Sequence, residues 1–277
     1  MDLTLLNTVP LPVLGFVFVG LAVAIAVGGL LVVRRFVAHH QLEEHNDVAG
    51  FIYAVVGVIY AIVLAFVVIV VWELFRDTEG VVEKEAGSLA SLYRQVQIYT
   101  SPEQLELRRQ IYLYALSVVH DEWPEIRNGN IVGSQKTRNE YDAIWDALRK
   151  VQPTNANEQS WQTEMLESLS DVAEGRRFRL THSATSIPGI MWTMLLVGGA
   201  ITVAYTYLYG VKNIIGQALM TGALAALIAL ILLLIFTMDH PFSGDVAVEP
   251  TPFEREITSF ERQMRTQGIP FPAPGAH

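Results

Sequence analysis

The sequence carries four runs without one Asp, Glu, Lys, Arg or His, at residues 11–33, 48–72, 190–209 and 214–238. Each reaches the roughly 20 residues that an α-helix needs to cross about 30 Å of hydrocarbon, and in lipid a lone segment satisfies its own N–H and C=O groups only as a helix. An all-α integral membrane protein with four transmembrane helices is therefore predicted. Charged residues make up 17% of the chain, against roughly 25% in soluble domains, because hydrocarbon excludes them. The net charge of −9 gives no footprint for nucleic acid. Cysteine is absent, which removes disulfides, thiol nucleophiles and cysteine-held metals from consideration.

The spacing of the runs sets the organisation. Arg34 and Arg35 close the first, and Trp72 and Glu73 close the second with an interfacial aromatic and the first exposed acid. The first run is too long for a signal-peptide core, and only Asp2 is charged before it, so it is expected to remain as a span. Only Gly210-Val211-Lys212-Asn213 separates the third from the fourth, which allows nothing but an antiparallel helical hairpin. The predicted layout is two hydrophobic hairpins, 1–75 and 188–238, flanking a helical soluble insert at 76–187, with a C-terminal tail at 239–277. Small residues recur at helical spacing in two spans. Gly50, Ala54, Gly57, Ala61 and Ala65 suit a subunit interface, and Ala218, Gly222 and Ala226 suit packing within the bundle.

Within the insert, Val82, Glu85, Leu89, Leu92, Val96 and Tyr99 follow three- and four-residue steps, so the second span is predicted to run on as one long amphipathic helix. Ser101-Pro102-Glu103-Gln104 restarts a helix with a capping hydroxyl, a first-turn proline and a capping-box glutamine. Pro124 and Asn128-Gly129-Asn130 are expected to stop it. Tyr141, Ile144, Trp145 and Leu148 mark the next helix, and Trp161, Met165, Leu169 and Val172 the last, which runs through Arg176, Arg177 and Arg179 toward Pro188. Near the span ends, Arg76, Lys84, Arg176, Arg177, Arg179 and Arg255 lie on the side of the insert and termini, and Arg34, Arg35 and Lys212 on the other. The positive-inside rule then places the insert and both termini in the cytoplasm of a multi-pass inner-membrane protein. The first span taken alone, with its basic pair behind it, argues the reverse.

The sequence holds no Gly-rich phosphate loop, nucleophile elbow or H-E-x-x-H, so neither an enzyme nor a cofactor is expected. His39, His40, Glu43, Glu44, His45 and Asp47 crowd one loop, yet their spacing matches no closed metal site and a hydrated loop explains them. Coupled carriers place Asp, Glu, Lys, Arg or His at membrane depth, and the spans have none of these; Gln217 is the one amide in them. An apolar pore needs no such group, since a constriction can gate by dewetting. On the second span Tyr53, Tyr60 and Val67 recur every seven residues, with Gly50, Gly57 and Leu64 beside them. These six are the expected pore lining, although such a stripe also suits a core or a lipid face.

The segment His45-Asn46-Asp47-Val48-Ala49-Gly50-Phe51-Ile52-Tyr53, the arginines of Arg176 to Leu180, Ile187-Pro188-Gly189-Ile190-Met191-Trp192 and Asp239-His240-Pro241-Phe242-Ser243-Gly244-Asp245 together resemble the bacterial bestrophin-like family, over nearly the whole chain and in order. The resemblance implies a ring-shaped homo-oligomer, a pentamer being one such ring, with the second helix of each subunit around a central pore. It also sets Asp239 and Asp245 at the positions of a calcium clasp, but calcium takes six to eight oxygens and only these two acids remain. The expected function is a homo-oligomeric ion channel, with His45, Asn46, Asp47 and Glu73 at the pore mouths and the bilayer, further copies of the chain and inorganic ions as partners. The permeant ion stays open, since mouth acids favour cations and the kinship favours anions. A non-conducting membrane scaffold or sensor that signals through the insert is the alternative.

Overall fold

The apolar runs are helical, the third closing in a 3-10 turn (Thr206–Leu208) that leaves Tyr209 extended. The computed structural model describes residues 3–37, 46–99 and 102–269. A short helix α1 (Leu3–Thr8) precedes the first span, α2 (Leu11–Phe36), whose early Pro12 costs nothing because the first N–H groups of a helix have no partner within it. The second run continues as α3 (Asn46–Gln95) and a closing 3-10 turn (Val96–Ile98), the predicted long helix in one piece. The insert adds α4 (Pro102–Ser117), a π-helical turn (Val118–Glu122), α5 (Trp123–Arg127), α6 (Gln135–Lys150) and α7 (Ala156–Ala184). Two spans follow, α8 (Gly189–Tyr205) and α9 (Ile214–Met238), and then α10 (Thr251–Thr266). Four of these helices are long and apolar enough to cross a bilayer.

Two expectations change. Pro124 does not stop the helix that contains it. The π turn before it resets the register, so Pro124 falls in the first turn of α5, where no donor is needed; the stop comes at Gly129, whose φ of 86° suits glycine. The segment after residue 239 is also no mere tail. Phe253, Phe260 and Met264 recur on one face of α10 and are buried, and the Phe260 ring stacks on Tyr93 of the insert at 4.0 Å between centroids. The Ser101 cap lies outside the described residues.

The chain forms two compact units. The first contains the spans: residues up to Phe75, Ser186–His240 and Gly244–Val246. In it α2 packs along α9, and a β-carbon on Gly222 would sit 3.4 Å from Val23, so that small-residue series serves packing within the subunit. One end is tied by polar groups. Arg34 donates through Nε to Gln217 Oε1 at 2.9 Å, and through Nη2 to the same oxygen and to the Val211 carbonyl. The Gln217 amide donates to the carbonyls of Thr206 and Tyr209 at 2.9 and 3.1 Å, which is how the lone amide of the spans stays hydrogen-bonded. The second unit holds residues 76–185, 241–243 and those from 247 onward, with Leu89, Leu92, Leu107, Ile111, Ile144, Leu148, Met165 and Leu169 in its core.

Candidate functional site

The second span turns one face into its own subunit. Tyr60, Leu64, Val67 and Val71 are buried against Ile187, Leu195, Ile228 and Leu232. Room for the Tyr60 ring comes from two glycines: a β-carbon on Gly198 would stand 2.6 Å from the ring, and one on Gly199 2.9 Å from its hydroxyl. That hydroxyl donates to the Leu195 carbonyl at 3.0 Å. This corrects part of the expected pore lining. Tyr60, Leu64 and Val67 belong to the subunit core, and a side chain 7% exposed within one subunit does not border a lumen shared by several. Tyr53 is half-buried with its ring against Tyr205 and Tyr209, at 6.2 and 6.0 Å between centroids, and Gly50 faces the Tyr209 hydroxyl. Of the six, only Gly57 has open space where a side chain would be.

The opposite face of the same helix is bare. Phe51 is 78% exposed and Phe66 65%, and Val55, Val58, Ile62 and Ile69 are exposed with them. At about 100° per residue, these six lie across the helix axis from Tyr60. The stripe of Ala54, Gly57, Ala61 and Ala65 falls between the two faces, a quarter-turn or so from the core.

The mouth residues separate in a similar way. Asp47 and Glu73 are exposed. Asn46 is spent: its Nδ2 donates to the Gly210 carbonyl at 3.2 Å and its Oδ1 accepts from the Gly210 N–H at 2.9 Å, tying the start of α3 to the turn between α8 and α9. His45 and the other histidines of its loop lie outside the described residues. Both acids of the expected calcium clasp accept from a backbone N–H at or just before the start of a span. Asp239 accepts from the Ile187 N–H at 2.7 Å and from Trp192 Nε1 at 3.2 Å, and Asp245 from the Leu11 N–H at 2.6 Å. Among the described residues no three His, Asp or Glu side chains come together as a metal site would require.

The insert holds a charge cluster that sequence reasoning left as scattered residues. Arg179, fully buried, donates through Nε and Nη2 to the Glu85 carboxylate at 2.7 and 3.1 Å and through Nη2 to Glu122 at 2.8 Å. Arg176 donates to Glu122 at 2.5 Å and the Tyr114 hydroxyl to Glu85 at 2.8 Å. Two acids and two guanidiniums leave no net charge, so desolvation is offset by pairing. Burial works to raise the Glu122 pKa, but Arg179 and Arg176 outweigh it and hold the carboxyl below its usual range. Burial, helped by Glu85, pushes the Tyr114 phenol well above its own. Glycines admit the cluster: a β-carbon on Gly175 would meet Glu85 Cβ at 2.7 Å, and Gly133, with φ of 77°, lies against Glu122. The signal in the sequence was Glu85 itself, an acid in a core position of an apolar series.

A family model described as a bestrophin-like domain matches residues 20–253. The chain belongs to the bestrophin-like family. Among solved structures, a bacterial bestrophin homologue from Klebsiella pneumoniae superposes with a TM-score of 0.62 over 90% of this chain and 98% of its own, at 13% identity. A membrane protein with a proline-to-alanine substitution gives 0.63 over 90% and 98% at 12% identity, and a mutated form of the Klebsiella homologue gives 0.59 over 90% and 99% at 15%. At such identities the likeness is one of fold, and the four spans with a helical insert are the bestrophin-like architecture. No curated protein matches the sequence. Bestrophins are known as oligomeric anion channels of membranes and not as enzymes; this bestrophin-like chain is likewise a multi-pass membrane protein.

Proposed function

We propose that the protein is a homo-oligomeric ion channel whose lumen is lined by the bare face of the second span, Phe51, Val55, Val58, Ile62, Phe66 and Ile69. One observation carries this reading: α3 buries Tyr60, Leu64 and Val67 in its own subunit and leaves the opposite face exposed, with small residues between them. In a ring of copies, a helix with this order of faces keeps its core side outward, approaches its neighbour along Ala54, Gly57, Ala61 and Ala65, and turns its large apolar side chains to the axis. Such a lumen resists ions because apolar walls cannot replace a hydration shell. Asp47 and Glu73, exposed near either end of the face, are the mouth charges, and the insert and termini lie in the cytoplasm at the inner membrane.

Purified protein in planar bilayers tests the reading. Ile62→Ser and Phe66→Ser should give a larger or constitutive conductance, while Glu73→Gln should shift the reversal potential in a salt gradient, whose sign identifies the permeant ion. If wild type and both serine variants give no single-channel steps at any voltage, the protein is a non-conducting scaffold.

A further inference from the structure

The insert contains a cavity of about 470 Å³ whose charged side chains are all arginines, Arg138, Arg176 and Arg177, with no acid in its wall. Most of the lining comes from one face of α7, where Ala173, Arg177, Leu180 and Ala184 recur at three- and four-residue steps. Arg176 is fixed at the cavity by Glu122, which takes its Nε and Nη2 donors; its Nη1 has no partner among the described residues. Arg138 and Arg177 form no ion pair with any described residue, and the Arg177 guanidinium only lies over the Phe178 ring at 5.4 Å. Two guanidiniums without an ion-pair partner among the described residues therefore border a concave surface whose remaining wall is largely apolar, Ile131, Ala173, Leu180 and Ala184, with Tyr141 and Thr181 beside them. Apolar walls lower the local dielectric and strengthen the pull on an anion. Arginine's planar fork suits phosphate in particular.

We propose that this cavity binds a phosphate monoester. Its charge of about −1.5 to −2 at neutral pH matches the two free guanidiniums, and the third, held in place by Glu122, offers a donor already positioned. The apolar wall leaves room for the carbon chain of the ester. Because α7 ends at Ala184, five residues before α8 begins at Gly189, lipid headgroups are the phosphate esters nearest at hand, with soluble esters as the other source. The site is separate from the proposed pore, and binding is read without any current.

The test uses the full-length protein in phosphatidylcholine nanodiscs, with phosphatidic acid added to the disc in one arm and glycerol 3-phosphate to the solution in the other. Native mass spectrometry reads lipid retained by the released protein, and equilibrium dialysis reads the soluble ester. Wild type should retain phosphatidic acid over phosphatidylcholine, and Arg138→Gln/Arg177→Gln should lower that retention by about tenfold or more, as expected for loss of charge-assisted contacts. Both arginines are exposed, so this variant should fold, and an unchanged melting temperature checks it. Arg94→Gln/Arg262→Gln, which removes equal charge elsewhere in the second unit, should leave retention unchanged. Binding of glycerol 3-phosphate alone would keep the site and assign it to soluble esters. Equal retention of both lipids with no soluble binding, no loss in the cavity variant, or an equal loss in the control pair would each overturn the proposal.

Discussion

The Tyr60 hydroxyl donates to the Leu195 carbonyl at 3.0 Å while its ring fills the space left by Gly198. This pair sets how closely the second and third spans approach. Tyr60→Phe keeps the ring and loses one hydrogen bond, for a cost of about 1 kcal/mol. Tyr60→Ala leaves a cavity and should cost about 3–5 kcal/mol. Gly198→Val forces the ring from its seat and should destabilise at least as much as the alanine variant. Thermal unfolding in detergent gives the order, and Tyr60→Phe should conduct as wild type does if the proposed lumen runs along the opposite face of the helix.

Gly57 offers a cleaner view of assembly. A β-carbon there meets nothing within 4 Å in the subunit, so the folded subunit tolerates a larger residue. Gly57→Leu and Ala61→Leu should nonetheless separate neighbouring copies, because close helix approach depends on the absence of bulk. Light scattering after size exclusion should report a smaller particle for both. Unchanged mass in both would remove this stripe from the interface.

The four spans were legible because lipid leaves a chain so few choices, and Ile214–Met238 begins and ends where its apolar run does. Which face of the second span points inward was not. Tyr53, Tyr60 and Val67 form a stripe whether they look toward a lumen or a core, and the deciding feature, Gly198-Gly199, lies on another helix far along the chain. The π turn at Val118–Glu122 was likewise hidden, because Pro124 alone reads as a stop. The C-terminal helix was legible in principle from Phe253, Phe260 and Met264.

The buried cluster predicts a specific acid sensitivity. The Glu122 carboxyl titrates below its ordinary value of 4.5, so its contribution to stability is complete above that value and is lost as pH falls through the lower, folded one. The melting temperature of the full-length protein should therefore fall steeply below pH 4.5. Glu122→Gln should flatten that fall and lower stability at pH 7 by about 3–5 kcal/mol, since it leaves Arg176 without an acid and Arg179 with Glu85 alone. An equally steep acid limb in the variant would assign the sensitivity to other carboxylates.

Asp239 is predicted to hold the entry to the third span and not a cation. Its two oxygens are taken by the Ile187 N–H and Trp192 Nε1. Asp239→Ala should cost about 1–3 kcal/mol, as leaving a buried N–H without its acceptor does, and Asp239→Asn less, because one oxygen acceptor remains. Millimolar calcium and a chelator should leave the wild-type melting temperature the same. A rise with calcium that Asp239→Ala abolishes would restore the clasp.

Orientation follows from the basic residues and is open to direct labelling, because the native chain has no cysteine. Ser134 would be a poor reporter, being buried with its N–H donating to Glu122, whereas Ser160 on the insert and Lys212 in the short turn are exposed. With six arginines and lysines near the span ends on the insert side against three on the other, the insert is expected in the cytoplasm. An impermeant maleimide added to intact cells should then label Lys212→Cys and spare Ser160→Cys, and permeabilised cells should label both. Labelling of Ser160→Cys in intact cells would show that the basic pair behind the first span, Arg34 and Arg35, had overridden the larger cluster and inverted the protein.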